Sequence, residues 1–535
     1  MRSEQDTRTL ALWVLSPFVL VAALWALAPA TSAADEVEWM YQPETLVEID
    51  LGGLSEAELD ELEAEPGEEV HGTFELKVGG VTKAGFEDVG IRLKGGAGSF
   101  EPIKTGKAAF KIRFDKFVDD QLFFGLQRLT LNNMVQDASM VHETLTYEIF
   151  RALDLPASRT GYALVRVNGE FFGVYLNIET LDKIFLGAHF ASTQHLYEAD
   201  APGVDVRTGE AGTFEVDRGD EGDLTDLDAL IAAANDVEGD WSEGMAATAD
   251  LTRMTRVWAV ERYASHWDGY AGVQAPFRPN NYYLHSLDSG VFEMLPWGAD
   301  QTWEIEMEFD EPAGGLLFNK CLADETCEAL YEQGLEEVRA AVPGLGLDRQ
   351  AFCIPEKLAR WQRRESEQRR VYDTEEIAEG VEETRALIAG RPGELDDYLG
   401  TETPEVPVNE SPCTEELRQP EKPQQPQSER RVVPPTTAKI GRSKVVGAFV
   451  VTHLQITGPA AATQQVTARL AGRRATLCTD RSSRGAPGRL TLRCKLPKPA
   501  LTALEPGPLK LKVRVGFDPE VGTPRTVVHR LTAHN

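Results

Sequence analysis

Residues 264–304, ASHWDGYAGVQAPFRPNNYYLHSLDSGVFEMLPWGADQTWE, constrain this chain most. They place Asp268 in a Trp-Asp-Gly-Tyr turn, then Asn280 and Asn281 ahead of an aromatic strand. A second strand, 291–295, carries Pro296, Trp297 and Asp300 at its far end. Two carboxylates and a carboxamide at the ends of adjacent strands are what a divalent metal bound to a phosphate ester requires, because Mg²⁺ takes hard oxygen ligands, few of them from protein. On spacing alone, an Asp-capped turn and a surface hairpin explain the same residues, since Asp and Asn are common turn formers.

A chain of 535 residues is long enough for two to four domains. Hydrophobic content of 42% and nine Trp mark it as globular. The first 33 residues read as a secretory signal: Arg2 and Arg8, an apolar run over 10–27, then Thr31-Ser32-Ala33. An uncleaved N-terminal anchor is the alternative. No other stretch is apolar enough to span a bilayer, so a secreted or extracytoplasmic, surface-associated protein is expected.

Export makes disulfides the expected state of the six cysteines. Proximity favours Cys321–Cys327, Cys353–Cys413 and Cys478–Cys494, although six cysteines allow 15 pairings. The net charge of −32 is uneven. From Arg430 onward there are 19 Lys and Arg against 4 Asp and Glu, net +15; the remainder carries 35 against 82, net −47. Two units of opposite sign follow. An acidic body argues against nucleic acid as a partner, and the basic C-terminal unit suggests an anionic surface polymer or the chain's own acidic body.

In chain order, 45–51 reads as a strand and 55–65 as a helix capped by Ser55. Residues 72–78 and 89–93 alternate as strands. Gly95 and Gly96 follow, in a turn whose amides could approach phosphate or simply close a hairpin. Residues 107–114, KAAFKIRF, alternate, with Lys107 and Lys111 as candidate phosphate partners. A short strand covers 129–131. Asp137 or Ser139 would cap a helix to about 153 that holds Glu143 in its first turn. Strands 162–167 and 170–178 meet at Asn168-Gly169, the strongest hairpin signal; Glu179 and Asp182 follow. Helices are expected from Asp223 or Thr225 to 235, and over 250–266. Beyond 304 the pattern is helical to 399, then a Pro-, Gln- and Glu-rich linker over 401–436. Short β-branched runs over 437–535 suggest a small β-sandwich.

Several of these stretches together resemble one family. KAAFKIRFDKF, the long block from LNNMVQDASM to TLDKIFL, LYEAD, DLTDLDALI, HWDGY, NNYYLH and LPWGADQTW resemble the spore-coat protein H (CotH) kinase family over about 45–399. The resemblance implies an α+β architecture: an atypical protein-kinase-like domain over 34–400, followed by the linker and the all-β unit. It implies an ATP-dependent phosphotransferase that uses Mg²⁺ or Mn²⁺ on Ser/Thr of a protein substrate. Asp268 would be catalytic, and Asn281 and Asp300 metal ligands. Lys111 and Lys107 would lie near the phosphates with Glu143 as partner, and Glu179 near the nucleotide hinge. The family commonly has Pro-Trp-Asp-x-Asp, where this chain has Gly298 at the first acid. Two other classes remain open: a degenerate kinase-fold surface protein acting as adhesin or scaffold, and a metal-dependent hydrolase using the same carboxylates.

Overall fold

The computed structural model describes residues 37–401, Cys413 and 438–533, less 43–44, 97, 200–202, 237–238 and 273–278 in the first stretch and 447, 458–459, 471–472, 485–487, 499, 501–508 and 520–524 in the second. The expected signal segment and all of the linker except Thr401 and Cys413 lie outside the described residues. Among the described residues no helix is long and apolar enough to cross a membrane.

Seven strands form a closed barrel: β1 (Leu46–Gly52), β2 (Val70–Val78), β3 (Val81–Lys94), β4 (Ala109–Arg113), β5 (Arg128–Asn132), β6 (Thr160–Val167) and β7 (Glu170–Ile178), in the order β1-β2-β3-β4-β5-β7-β6. The parallel β1–β6 pair closes it, with Leu46 opposite Tyr162. Alternation selects the interior: Val47, Ile49, Phe74, Leu76, Ile91, Phe110, Ile112 and Val165 share one core. Gly79-Gly80 and Asn168-Gly169 turn their hairpins with φ of 57, 77, 49 and 78°, the left-handed values that two-residue turns need. Helix α1 (Glu56–Ala64) starts at the expected N-cap Ser55, which forms a capping box with Glu58.

Helix α2 (His142–Ala152) begins later than expected, and its N-cap, Val141, makes no side-chain bond. Asp137 is still its anchor, because its carboxylate accepts the His142 N–H at 2.8 Å. Helix α3 (Lys183–His189) is capped by Asp182 and was not anticipated. A second sheet, β11-β10-β8-β9, comprises β8 (His195–Glu198), β9 (Glu215–Arg218), β10 (Tyr282–Ser286) and β11 (Phe292–Pro296). Helices α4 (Thr225–Asn235), α5 (Trp241–Met245) and α6 (Leu251–Tyr263) lead into β10; α6, expected over 250–266, ends earlier and is capped by Asp250, while the N-cap of α4 is Leu224 rather than the expected Asp223 or Thr225. Then come α7 (Leu316–Ala323), α8 (Glu325–Ala341), α9 (Leu347–Gln362) and α10 (Thr374–Leu399). The three cysteine pairs are those favoured by proximity, with Cα separations of 4.9, 5.5 and 5.7 Å.

Toward the C-terminus, β12 (Ala438–Ile440), β13 (Lys444–Val446), β14 (Phe449–Ile456) and β17 (Gly488–Lys495) form one four-stranded sheet. The second comprises β15 (Ala460–Leu470), β16 (Arg473–Arg484), β18 (Leu509–Pro519) and β19 (Arg525–Ala533). Val450, Leu454, Val466, Leu492, Val513 and Val515 join them in one apolar core. The short β-branched runs expected over 437–535 are thus resolved into eight described strands in two sheets.

Candidate functional site

Helix α6 ends in a turn fixed from below. Glu261, fully buried in its last turn, accepts the N–H groups of Tyr270 at 3.2 Å and Ala271 at 2.7 Å. Burial pushes its carboxyl up to about 7, opposed by those two amides. A Cβ at residue 269 would lie 2.6 Å from His266 Nδ1 and 3.0 Å from the Glu261 carboxylate, so the turn admits only glycine there. His266 is held neutral, its pKa lowered to about 4 by burial, and its Nε2 donates to the Gly298 carbonyl at 3.1 Å.

This turn presents Asp268 to two carboxamides. Asn280 Nδ2 donates to its carboxylate at 3.2 Å and Asn281 Nδ2 at 2.7 Å. Burial raises its pKa to about 6, with repulsion from Asp300 and Glu304 adding and the two carboxamides opposing. Asn281 sits just before β10 at a φ of 52°. Gly298 follows β11 at a φ of 54°, and a Cβ there would lie 2.5 Å from Asn281 Oδ1. The amide of Asn281 therefore occupies the space that a side chain at 298 would need.

Asp300 lies opposite. It is buried, and burial raises its pKa, with Lys94 opposing and Asp137 reinforcing. His142 fixes its backbone, Nδ1 donating to the Asp300 carbonyl at 2.8 Å. Glu143, also buried, accepts from Asn132 Nδ2 at 2.6 Å. Its pKa rises to about 8 through burial and the Asp300 charge, opposed by Lys94 and Asn132. Sequence reading thus brought Asp268, Asn281, Asp300 and Glu143 into one neighbourhood. The cation that acts on both Asp300 and Glu143 is Lys94, the last residue of β3.

The remaining candidates are distributed differently. Lys111 pairs across the strands with Arg92. Its pKa falls to about 8 through burial and the charges of Arg92 and Lys94, partly offset by Glu198 and Asp217. Lys107 points elsewhere: its Nζ meets the buried Glu365 at 3.1 Å, and Glu365 also accepts the Val174 N–H at 2.8 Å. Neither lysine is the partner of Glu143. Gly95 adopts a φ of 133°, and a Cβ there would lie 2.8 Å from the Phe100 backbone, so only glycine fits. At Gly96 the turn closes on itself: its N–H donates to Ser99 Oγ at 3.1 Å, and the Ser99 and Phe100 amides bond its carbonyl. Glu179 is held by Arg159 at 2.6 Å.

Sequence reading passed over Lys94, Arg92, Glu261 and Glu304 as site residues. The available signal for Lys94 was a cation at a strand end directly before a glycine turn. Glu304, bonded by Trp267 Nε1 at 2.8 Å, lay within the opening stretch. Among the described residues no three His, Cys, Asp or Glu side chains come together as a metal-holding group. Oxygen donors at the site include the carboxylates of Asp268, Asp300, Glu143 and Glu304 and the carboxamide of Asn281.

Comparison with known proteins agrees with this geometry. A family model described as CotH kinase protein matches residues 91–342, the segment holding Lys94, Glu143, Asp268, Asn281 and Asp300. The inner spore coat protein H of Bacillus subtilis (strain 168) is 26% identical over 213 residues, 38% of this chain and 57% of that protein. The chain therefore spans little more than half the length of that relative. The match over residues 91–342 and the 26% identity to that spore coat protein together support assignment of this segment to the CotH kinase protein family.

Proposed function

We propose that this chain is an exported or cell-surface atypical protein kinase, moving the terminal phosphoryl group of ATP to Ser or Thr of a protein substrate with Mg²⁺ or Mn²⁺. One observation carries the reading: a carboxylate, Asp268, is gripped by two carboxamides and raised to about 6 beside a second buried acid, Asp300. A group with that proton affinity can take the hydroxyl proton as the oxygen attacks phosphorus and the bond to ADP breaks. Arg92 and Lys111 stand directly opposite on adjacent strands, which costs folding energy between like charges and suits an anionic guest. Lys94 adds a third cation on the side of the acids.

The donor chemistry fits a divalent cation. Asp300 repels both Glu143 and Asp268, and hard oxygen donors are what Mg²⁺ accepts. Asp300 and Asn281 would hold it. When bound, the cation would neutralise phosphate charge; the protein's own task is to hold Asp268 and its carboxamides in place. The domain division at about 400 and 437, and association with a coat or surface as the relative's name and the three disulfides suggest, belong to the same proposal.

A second reading, a degenerate adhesin or scaffold, draws on two features: Asn281 fills the place of a side chain at 298, and the Gly96 turn spends its amides on itself. Incubation with labelled ATP and Mn²⁺, followed by phosphosite mapping, separates the two. Metal-dependent thermal stabilisation by ATP together with transferred label supports the kinase. Absence of both supports the scaffold.

A further inference from the structure

The two C-terminal sheets present their basic residues to different surroundings. On β18, Lys512 and Arg514 project outward and meet Glu332 and Glu336 of α8, the second pair at 2.5 Å. Those two cations of the sheet are thus held against the acidic body. The other sheet, β12-β14-β13 with β17, covers the opposite side of the shared core. None of its four strands contains an Asp or Glu.

Register sorts its cations. Inward positions of β14 are Val450, Thr452, Leu454 and Ile456, all buried. The outward positions are paired thus: Val451 with Lys444 on one side and Arg493 on the other, Gln455 with Lys439 and Arg489, Phe449 with Lys495. Residues directly opposite share a face, so Lys439 and Lys444 form one rail and Arg489, Arg493 and Lys495 another. All five are exposed. Strand spacing sets the rails ~10 Å apart, and four residues of strand separate successive rows by ~13 Å. Between them runs a neutral trough of Val451, His453 and Gln455 on β14. His453, exposed in the trough, has its pKa lowered by desolvation and by the charges of Arg489 and Lys444. At the edge of the face, the Asp480 carboxylate is taken up by the Arg493 main-chain N–H, which it accepts at 2.6 Å.

We propose that this face binds a linear acidic glycopolymer lying along β14, its phosphodiester or carboxylate groups meeting the two rails. Two features select this class over other polyanions. Base-stacking platforms need several exposed aromatic rings along the strand path; this face has no Tyr or Trp, its Phe449 already carries the Arg493 guanidinium 4.9 Å from its centre, and His453 is bonded to Thr491 at 2.9 Å. Insertion into a lipid surface needs exposed apolar side chains, and the large exposed apolar residues described all lie between Val81 and Val371. The proposal does not depend on kinase activity.

The test uses the full chain. Binding is measured to poly(glycerol phosphate), polygalacturonate, single-stranded DNA and anionic phospholipid vesicles, from about 50 to about 500 mM salt. The expected result is binding to at least one of the two polymers, tighter than to DNA or vesicles and falling steeply with salt; which polymer binds identifies phosphodiester or carboxylate as the natural group. R489Q/R493Q should weaken it about tenfold, whereas K83Q/R363Q, which removes two exposed charges from the body, should leave it unchanged. If R489Q/R493Q does not fold, K439Q/K444Q tests the opposite rail. No polymer binding, tighter binding to DNA or vesicles, or equal loss in both double variants would overturn the proposal.

Discussion

Asn281 donates to Asp268 twice, to the carboxylate at 2.7 Å and to the main-chain carbonyl at 3.2 Å. The two residues come from opposite ends of a 13-residue connection. Their bond locks the turn after α6 to the entry of β10. The same carboxamide turns its oxygen toward Gly298, so three sequence landmarks share one small volume.

Asp268→Asn and Asp300→Asn are expected to fail differently. Both should lose phosphoryl transfer by several orders of magnitude, since positioning and electrostatics dominate this chemistry. D268N should still bind ATP with Mn²⁺, because its proposed role is toward the hydroxyl. D300N should lose metal-dependent nucleotide affinity as well. Titration calorimetry with single-turnover transfer checks both, and wild-type behaviour in both variants would remove the kinase reading.

Gly298→Asp restores the acid common in the family, yet this chain should suffer from it. The backbone there is left-handed, at a φ of 54°, and the new Cβ would strike Asn281. A loss of ~1–2 kcal/mol follows from the backbone alone. Displacing Asn281 should also loosen Asp268 and lower turnover. Melting curves and transfer rates on the variant decide. Unchanged stability with higher activity would mean that Asn281 is not placed as described.

Lys94→Ala and Lys107→Ala should separate binding from stability. Lys94 acts on Glu143 and Asp300, so its loss should weaken nucleotide binding with little effect on folding. Lys107 is buried against Glu365. Its removal strands a buried carboxylate and should cost ~3–5 kcal/mol while sparing nucleotide affinity in protein that still folds. Denaturant midpoints paired with nucleotide titration test the contrast, and the reverse pattern would reassign the two lysines.

Glu261 sets a pH dependence. Its folded pKa of about 7 lies above the ordinary 4.5. The folded state therefore holds the proton longer than the unfolded chain, and this group's contribution to stability falls as pH rises from about 4.5 through 7. Glu261→Gln should flatten that slope. It also leaves one of the Tyr270 and Ala271 amides poorly accepted, at ~1–3 kcal/mol. Stability measured from pH 5 to 8 on both proteins, alongside turnover, provides the check; identical slopes would place the titration elsewhere.

Local rules settled much of this molecule in advance. Ser55 and Asp250 mark helix starts because a short acceptor side chain satisfies a free amide wherever it stands. Asn168-Gly169 turns a hairpin because few other residues accept its backbone. Cysteines 6 and 16 residues apart pair because the chain between them is short. Asp268, Asn281 and Asp300 were legible for the same reason: 33 residues contain them all, and one hairpin brings its ends together.

Tertiary structure decided which cation faces which acid. Alternation places Lys111 outside the barrel but says nothing of its neighbours, since period two is a property of one strand and register belongs to a pair. Only the β3–β4 register sets Arg92 beside Lys111 and leaves Lys94 at the strand end. Lys107 was read into the site on spacing, yet Glu365, 258 residues away in sequence, claims it. In the same way, composition announced a basic C-terminal unit, but only the packing of one sheet on α8 decided which cations are consumed within the protein and which face outward.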